Sequence, residues 1–254
     1  MTEQMNERHS MILNLVSKRK KISVGELAQL IGISEVTVRK DLSVLEYRGL
    51  LRREHGYAAM VESDDVSKRL SFNYNIKRLI AAKASTDIRD GETIMIESGS
   101  CCALLAEEIV STHRDITIVT NSVFIASFIR HKGNSKVILL GGEFQKEAQV
   151  MVGPLINKCV EDFYVNKFFI GTDGFNDFGA MSGDLMRAEA VRAMATNADR
   201  VIILTESKKF SQTGVVPLLP YNRINTIYTD DKILSGTKDF LIQKNIAVFM
   251  NRTA

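Results

Sequence analysis

The chain has 254 residues, 45% of them hydrophobic and 25% charged, as is usual for a soluble globular protein of one or two domains. No run approaches the roughly 20 consecutive apolar residues that span a bilayer, and residues 1–7 lack the apolar core of a signal peptide. We therefore expect a cytoplasmic protein with no membrane partner. The net charge of +3 arises within residues 1–60, which hold ten Lys and Arg against seven Asp and Glu. Basic residues clustered within such a segment can neutralise phosphates, although a run of charged residues more often lies on a solvent-exposed surface.

The cysteines and histidines indicate no metal site and no cofactor. Cys101, Cys102 and Cys159 form neither a disulfide framework nor a metal-binding spacing, and the four histidines are scattered. We expect the cysteines to be small packing residues. A redox role for the adjacent pair is a minor alternative, because adjacent cysteines rarely close a relaxed disulfide.

Two helices are predicted at the start of the chain. Apolar residues at helical spacing predict the first over 5–16. Ser23, followed three residues later by Glu26, forms a capping box that predicts a second helix over 24–31. Gly32 follows directly and is expected to end this helix.

A third helix is predicted over 35–47, with Ser34 as its N-cap. Its apolar side chains, Val38, Leu42 and Leu45, share one face and are expected to be buried. The other face is polar and basic. A glycine turn between two short helices, followed by a basic outer face, is typical of a helix-turn-helix. A generic three-helix packing unit is the alternative.

Residues 50–60 predict a β-wing, which is two short strands around a turn at Gly56. Arg52, Arg53 and His55 lead into that turn. Such a wing can lie against the DNA backbone beside the third helix.

These residues resemble the N-terminal signature of the DeoR family of bacterial transcription regulators. The matching positions are Arg8, Ile12, Val16, Ser34, Thr37, Val38, Arg39, Lys40, Asp41 and Leu42. The resemblance implies that the third helix enters the major groove of a double-stranded operator. The predicted DNA-binding residues are Ser34, Val36, Thr37, Arg39, Lys40, Ser43, Arg52, Arg53 and His55.

Individual roles follow from side-chain chemistry. Ser34 can cap the helix and touch a phosphate, and Arg39 can pair bidentately with a guanine edge. Asp41 is acidic and therefore unsuited to a phosphate contact. We expect it to form an ion pair with Arg39 or with a wing arginine.

The second half of the chain alternates helical and strand-like segments. A polar segment over 61–75 is expected to be a linker between a DNA-binding domain, residues 1–60, and a second domain, residues 76–254. Nearly apolar strands that follow helices predict a doubly wound, mostly parallel α/β sheet. The strands are predicted over 93–97, 116–120, 136–140, 167–171 and 200–205.

Polar and glycine residues follow the ends of these strands. Parallel sheets bind ligands at the carboxyl ends of their strands, so several polar loops at one edge favour a ligand pocket over ordinary tight turns. The loop over 97–101 opens a helix and suits an anion. The predicted effector-binding residues are Ser98, Gly99, Ser100, Cys101, Asn121, Gly142, Gly153, Asp173 and Lys209.

The resemblance to the DeoR family continues over about 60–250, where the family's sensor domain looks like sugar-phosphate isomerases of the ribose-5-phosphate isomerase type. It implies a phosphorylated sugar or related metabolite as effector. This chain departs from the family motifs at a few positions. Cys101 replaces a threonine, Glu97 and Glu206 replace aspartates, and Lys208 replaces a serine. Either the effector is unusual, or its phosphate is held by Ser98, Ser100, backbone amides and Lys209.

The predicted function is therefore DNA-binding transcription regulation, with repression of a carbohydrate operon modulated by the effector. A dimer or tetramer is expected, because one chain reads only a half-site. The alternative is a sugar-phosphate isomerase with an appended DNA-binding domain. Its candidate acid–base groups are Asp173, Glu97 and Glu206, and nothing in the sequence assembles them into a pair.

Overall fold

The computed structural model describes residues 2–60 and 66–251. The chain divides into two compact units, with the boundary between Asn75 and Ile76. The helices are α1 (Thr2–Arg19), α2 (Val24–Ile31), α3 (Glu35–Tyr47), α4 (Val66–Ser71), α5 (Tyr74–Ser85), α6 (Ser100–Thr112), α7 (Val123–Ile129), α8 (Pro154–Val160), α9 (Leu185–Ala195) and α10 (Ser235–Gln243). The strands are β1 (Lys21–Ser23), β2 (Arg52–Glu54), β3 (Tyr57–Ala59), β4 (Thr93–Ile96), β5 (Thr117–Thr120), β6 (Lys136–Leu139), β7 (Glu143–Gln145), β8 (Val150–Val152), β9 (Val165–Ile170), β10 (Gly174–Phe175), β11 (Gly179–Ser182), β12 (Ala198–Leu204), β13 (Val216–Pro220), β14 (Thr226–Asp230) and β15 (Ala247–Asn251). Two 3₁₀ helices complete the set, Ser207–Ser211 and Tyr221–Arg223.

The first unit is a winged helix-turn-helix, as predicted. Helix α2 begins and ends, and α3 begins, where the capping residues predict. The Ser23 side chain accepts the backbone N–H of Glu26 at 3.2 Å, and Gly32 takes the left-handed conformation (φ 75°) that ends α2. The Ser34 side chain accepts the N–H of Thr37 at 3.2 Å at the start of α3. The wing strands β2 and β3 pair antiparallel, and β1, which the sequence did not reveal, pairs with β3 on its other side.

Part of the predicted linker is folded. Residues 61–65 lie outside the described residues, but α4 and the start of α5 occupy 66–75 and belong to the first unit. Val66, Leu70 and Tyr74 are buried there. The Arg48 guanidinium at the end of α3 donates to the Tyr74 hydroxyl at 3.3 Å. These apolar positions recur at four-residue steps, which is a helical pattern that the polar composition of 61–65 obscured.

The second unit is built on seven parallel strands in the order β15-β14-β12-β9-β4-β5-β6. The predicted α/β fold class is correct. From β4 the chain proceeds outward through β5 to β6, and then returns to β9 on the other side of β4. The strand order therefore reverses between β4 and β9, and a crevice at the carboxyl ends of these two strands is where such sheets bind ligands.

Burial across this sheet differs from strand to strand. Phe168 and Phe169 in β9 are fully buried, and burying one such side chain stabilises a fold by roughly 1.5–3 kcal/mol. In contrast β6, which was expected to be a buried strand, lies at the sheet edge, and Leu139 is exposed there. Strands β7 and β8 form a separate hairpin, while β10, β11 and β13 form a small antiparallel sheet. Over the described residues, no helix is both long and apolar enough to cross a membrane.

Candidate functional site

The exposed face of α3 carries the predicted DNA-binding side chains. Val38, Leu42 and Leu45 are fully buried on the opposite face, as predicted, and hold α3 against the rest of the first unit. This leaves six predicted residues of α3 and its cap, none of them buried: Ser34, Val36, Thr37, Arg39, Lys40 and Ser43. Val36 is 61% exposed, which leaves its methyl groups free to contact a thymine methyl.

The arginines of this face are held by neighbouring side chains. The Arg39 guanidinium donates to Glu35 at 2.6 Å, one helical turn away. The Arg53 guanidinium donates to the Ser43 hydroxyl at 2.6 Å, which ties the wing to α3. Because these pairs are exposed, each contributes little to stability and can be exchanged for a phosphate at small cost.

A groove of about 610 Å³ runs between α3 and the wing. Its lining includes Arg39 from α3 together with Arg53 and His55 from the wing. The structure thus brings three of the predicted DNA-binding residues to one surface. Arg52 lies on β2 and pairs instead with Glu54 at 2.6 Å.

Asp41 has a different partner from the one that we expected. It is buried, and its carboxylate accepts two hydrogen bonds from the Arg8 guanidinium, at 2.5 and 2.8 Å, and lies 3.3 Å from Nε2 of His9. The prediction of an ion pair with Arg39 or a wing arginine is therefore wrong. Asp41 lies on the inner side of α3, beside Leu42, where it faces α1 and not the DNA-binding face.

The contacts among Arg8, His9 and Asp41 change the pKa values of Arg8 and His9. The hydrogen bonds to Asp41 raise the pKa of Arg8. Burial lowers the pKa of His9, against the opposing effect of Asp41, so His9 is neutral at neutral pH. A charged pair and a neutral imidazole thus join α1 to α3.

Sequence reasoning missed one further cation near the wing. Lys21 on β1 donates to Glu54 at 2.5 Å and lies 5.1 Å from the ring centroid of Tyr57. The basic run over 18–21 is one of the clusters that give residues 1–60 their positive charge, but it was not assigned to the DNA-binding set. Strand β1 was not predicted, so nothing linked that run to the wing.

In the second unit, Glu97 occupies the crevice at the strand reversal. Its carboxylate accepts the backbone N–H of Gly99 at 2.8 Å, the N–H of Gly171 at 3.0 Å and the Ser98 hydroxyl at 2.8 Å. A Cβ on Gly99 would lie 3.2 Å from the Gly171 backbone, so this close approach needs a small residue. Two of the groups predicted to hold an anion, Ser98 and the Gly99 amide, therefore already donate to the chain's own carboxylate.

A cluster of charges surrounds Cys101, in the first turn of α6. Nζ of Lys77 lies 3.4 Å from one Glu206 carboxylate oxygen, and Nζ of Lys208 lies 3.2 Å from the other. Nζ of Lys209 donates to the backbone oxygen of Asp173 at 3.3 Å. The charges of all three lysines and of Glu206 act on the Cys101 thiol. Ser100 lies beside this cluster as the first residue of α6.

The thiols themselves are protonated. Burial raises the pKa of Cys101 to about 12, and it raises the pKa of Cys102 well above its ordinary value. Thiolates are the reactive species in disulfide chemistry, so these two side chains are poorly suited to redox sensing. Their burial agrees with the expected packing role.

Asn121, Gly142 and Gly153 form a second group around the β7–β8 hairpin. The Asn121 amide donates to the backbone oxygen of Met151 at 3.0 Å, whereas its own Oδ1 is buried and has no hydrogen-bond partner in the described part of the chain. A Cβ on Gly142 would lie 2.5 Å from the Val152 carbonyl oxygen, so that glycine is required by packing. A buried acceptor without a partner carries a free-energy cost, so the Oδ1 of Asn121 is the side-chain atom of this group that would gain from a hydrogen-bond donor.

Asp173 and Lys209, also predicted, approach each other at the end of β9. One Asp173 carboxylate oxygen accepts the N–H of Gly183 at 2.8 Å, while the Asp173 backbone oxygen accepts from Lys209. Lys77 was missed, although a signal was available. It lies on the buried stripe of α5, between Tyr74 and Ile80, and a lysine on an apolar stripe indicates a buried partner.

Comparison with known proteins identifies both units. The family profile described as the DeoR-like helix-turn-helix domain matches residues 8–64, and that described as the DeoR C terminal sensor domain matches residues 72–231. The L-fucose operon activator of Haemophilus influenzae is 30% identical over 95% of this chain and 98% of its own length. The lactose phosphotransferase system repressor of Staphylococcus aureus is 27% identical over 93% and 97%.

A solved ribose 5-phosphate isomerase A from Methanocaldococcus jannaschii is 17% identical, over 54% of this chain and 55% of its own, with a TM-score of 0.40. The family matches together span both units of the chain. The chain belongs to the DeoR family and is a DNA-binding transcription regulator.

Proposed function

We propose that α3 reads operator DNA in the major groove while the wing contacts the backbone beside it. The observation that carries this proposal is the groove that places Arg39, Arg53 and His55 on one exposed surface. Arg39 is suited to a guanine edge, and Lys40, exposed beside it, to phosphates. The DNA-contacting set is Ser34, Val36, Thr37, Arg39, Lys40, Ser43, Arg52, Arg53 and His55.

We further propose that residues 76–254 bind a phosphorylated sugar at the carboxyl edge of the sheet. The strand reversal between β4 and β9 supports this location, as does the unpartnered Oδ1 of Asn121. The names of the two relatives refer to the L-fucose operon and to the lactose phosphotransferase system, and so to sugars. The effector-contacting set is Ser98, Gly99, Ser100, Cys101, Asn121, Gly142, Gly153, Asp173 and Lys209.

The proposed physiological role is repression of a carbohydrate operon in the cytoplasm by a homodimer or homotetramer. The first unit, residues 1–75, serves in DNA binding, and the second unit, residues 76–254, senses the effector. An effector that binds one conformation better changes the DNA affinity by linkage. Two copies are needed because a helix-turn-helix dimer reads two half-sites about one DNA turn apart.

We propose that the chain is not an isomerase. The carboxylates that would act as acid and base are each engaged elsewhere: Glu97 by backbone N–H groups, Glu206 by two lysines and Asp173 by Gly183. Incubation with common pentose and hexose phosphates should show no turnover. Turnover that Asp173→Asn abolishes would establish the enzyme instead.

The DNA-binding proposal is tested with the purified full chain and the promoter region next to its own gene, over a series of salt concentrations. We expect specific binding that weakens linearly in log–log form as salt rises, because phosphate contacts release counterions. A shuffled DNA of the same composition is the control. Equal affinity for both DNAs at every salt concentration would exclude operator recognition at that promoter.

A further inference from the structure

The three-stranded sheet of the wing, β1-β3-β2, has one face on which four polar side chains lie together. Lys21 and Arg52 both lie opposite Ala59, and Glu54 lies opposite Tyr57. Residues opposite each other in paired strands share a face, and every second residue along a strand returns to the same face. We call the side chains of Lys21, Arg52, Glu54 and Tyr57 the outer wing face.

The other face of the same sheet packs against the helices. Ile22 and Ala58 are buried there. Arg53, on that side as well, donates to the Ser43 hydroxyl of α3 at 2.6 Å. The outer wing face therefore points away from the core of the first unit, and nothing in the packing of the helices requires its charges.

One carboxylate on the outer wing face holds two cations. Nζ of Lys21 donates to one oxygen of Glu54 at 2.5 Å, and the Arg52 guanidinium donates to the other at 2.6 Å. The Lys21 and Arg52 side chains are 52% and 54% exposed. Lys21 and then Arg52 lower the pKa of Glu54, which therefore keeps its charge. Two cations face one anion, and exposed pairs of this kind exchange partners at small cost.

An exposed aromatic residue completes this face. Tyr57 is 46% exposed, and Nζ of Lys21 lies 5.1 Å from the centroid of its ring. A tyrosine hydroxyl donates to phosphate oxygens in protein–DNA complexes, as lysine and arginine do. Three of the four side chains of the outer wing face are thus donors suited to phosphates.

The outer wing face is continuous with the groove between α3 and the wing. Glu54 and Tyr57 line that groove together with Arg39. On the side of β1, the exposed residues Lys18 and Lys20 extend the basic character along the chain. A DNA duplex that enters the groove therefore meets further cations beside the wing.

We propose that the outer wing face is a second contact to the DNA backbone, in which Lys21, Arg52 and the Tyr57 hydroxyl bind phosphates after DNA displaces Glu54. Lys21 and Tyr57 are thereby added to the DNA-contacting set, and Glu54 is a positioning residue that holds both cations in the free protein. Phosphate contacts carry no sequence information, so this face adds affinity for any duplex. The inference rests on the proposed DNA binding by α3 and the wing.

The test is fluorescence anisotropy of the full chain with two labelled duplexes, the promoter DNA and a shuffled DNA of the same composition, over a series of salt concentrations. Lys21→Gln should weaken binding to both duplexes about tenfold at roughly 0.1 M salt, and it should reduce the slope of log affinity against log salt by about one. Lys21→Arg keeps the charge and should stay within about twofold of wild type. Tyr57→Phe should weaken both about threefold without changing the slope, because it removes one uncharged donor.

Glu54→Gln should have the opposite effect, because it removes the anion that competes with phosphates. We expect binding to both duplexes to strengthen about threefold, and to strengthen less when Lys21→Gln is also present. The matched control for lysine is Lys244→Gln, which also removes a lysine that lies over an aromatic ring, 5.4 Å from the centroid of Phe240. The matched control for glutamate is Glu189→Gln, exposed on α9. Both controls should stay within about twofold of wild type.

The contrary results separate this inference from the proposal on which it rests. If Lys21→Gln binds both duplexes with the affinity and slope of Lys244→Gln, while Arg39→Ala still weakens promoter binding, the outer wing face does not contact DNA and α3 does. A loss in Lys21→Gln confined to the promoter duplex would also contradict a backbone contact. A wild-type chain without salt-dependent affinity for either duplex would overturn both proposals. Melting temperatures equal to that of wild type show that the variants are folded.

Discussion

The two units of this protein place their charges in opposite environments. On the DNA-binding face, Arg39 and Glu35 form a pair in which both side chains are about half exposed, at 52% and 49%. In the second unit, near the carboxyl edge of the sheet, Lys77 and Glu206 form a pair in which both side chains are almost fully buried. The first pair lies in water and is screened by salt, and the second lies in a low-dielectric interior.

This difference corresponds to what each unit is proposed to bind. In the proposed DNA complex, phosphates would meet cations that leave weak, local partners, so the exposed face of α3 would need little reorganisation. In the proposed sensor site, a small effector would compete with strong buried interactions, so only a ligand of matching charge and shape could do so. The contrast yields four predictions, which run from a large loss of stability at a buried charge to a small effect of pH.

The largest effect is expected at Lys77. Lys77→Met leaves the buried Glu206 carboxylate with one fewer cation, and we expect the free energy of unfolding of the second unit to fall by about 3 kcal/mol. Chemical denaturation monitors this change. Lys83→Met, an exposed lysine on the same helix, should stay within about 0.5 kcal/mol of wild type. A loss below about 1 kcal/mol in Lys77→Met would show that the buried pair does not support the fold.

Asp41 tests whether the first unit also depends on a buried charge. Asp41→Asn removes the charge that accepts two hydrogen bonds from Arg8, and should destabilise the first unit by about 2 kcal/mol. It should also weaken operator binding, because α3 loses its attachment to α1. The matched control is Glu35→Gln, which alters an exposed pair and should cost at most about 0.5 kcal/mol. Equal stability losses in the two variants would remove the distinction between buried and exposed charge.

Which features could be predicted from the sequence depends on how far apart in the chain the interacting residues lie. Both ends of α2 and the start of α3 follow from Ser23, Gly32 and Ser34, because a cap acts on residues three or four positions away. The parallel strands follow from apolar runs. Contacts between residues far apart in the chain could not be predicted in this way. Asp41 and Arg8 are 33 positions apart, and Lys77 and Glu206 are much further apart. Each of these residues was visible in the sequence, but its partner depended on the packing of helices and strands.

At the carboxyl edge of the sheet, the polar loops follow the strands as predicted, but the hydrogen bonds within these loops were not predicted. The sequence places Ser98 and Gly99 at the end of a strand, where an anion site is expected. In the structure Glu97 fills that position, because a carboxylate on the strand end reaches the Gly99 and Gly171 amides. Gly171 directly follows β9, which is adjacent to β4 only because the strand order reverses there.

Substitutions of Arg39 and Lys40 test which exposed side chains of α3 contact DNA bases and which contact phosphates. Arg39→Ala should weaken operator binding about tenfold and binding to shuffled DNA much less, since a bidentate guanine contact carries sequence information. Lys40→Ala should weaken binding to both DNAs alike, and it should reduce the slope of log affinity against log salt by about one. Fluorescence anisotropy with both DNAs separates these outcomes. Equal losses on the two DNAs for Arg39→Ala would assign it to the phosphate backbone.

The smallest effect concerns His9. Because burial lowers its pKa in the folded state, the unfolded chain binds the proton more readily, and stability falls as the pH drops through the ordinary histidine pKa of 6.5. The melting temperature of the first unit should therefore drop between pH 7.5 and 5.5. The drop should be smaller in His9→Gln, which cannot titrate. An identical pH dependence in both proteins would exclude His9 as its source.

The most direct test of the regulator is the operator affinity of the full chain with and without individual sugar phosphates, at one fixed salt concentration. Linkage predicts that one compound changes this affinity by about 5–150-fold, and that the unphosphorylated sugar does not. Fluorescence anisotropy with labelled operator DNA measures both. Operator binding that no sugar phosphate alters, although calorimetry shows that one of them binds, would contradict the coupling between the two units.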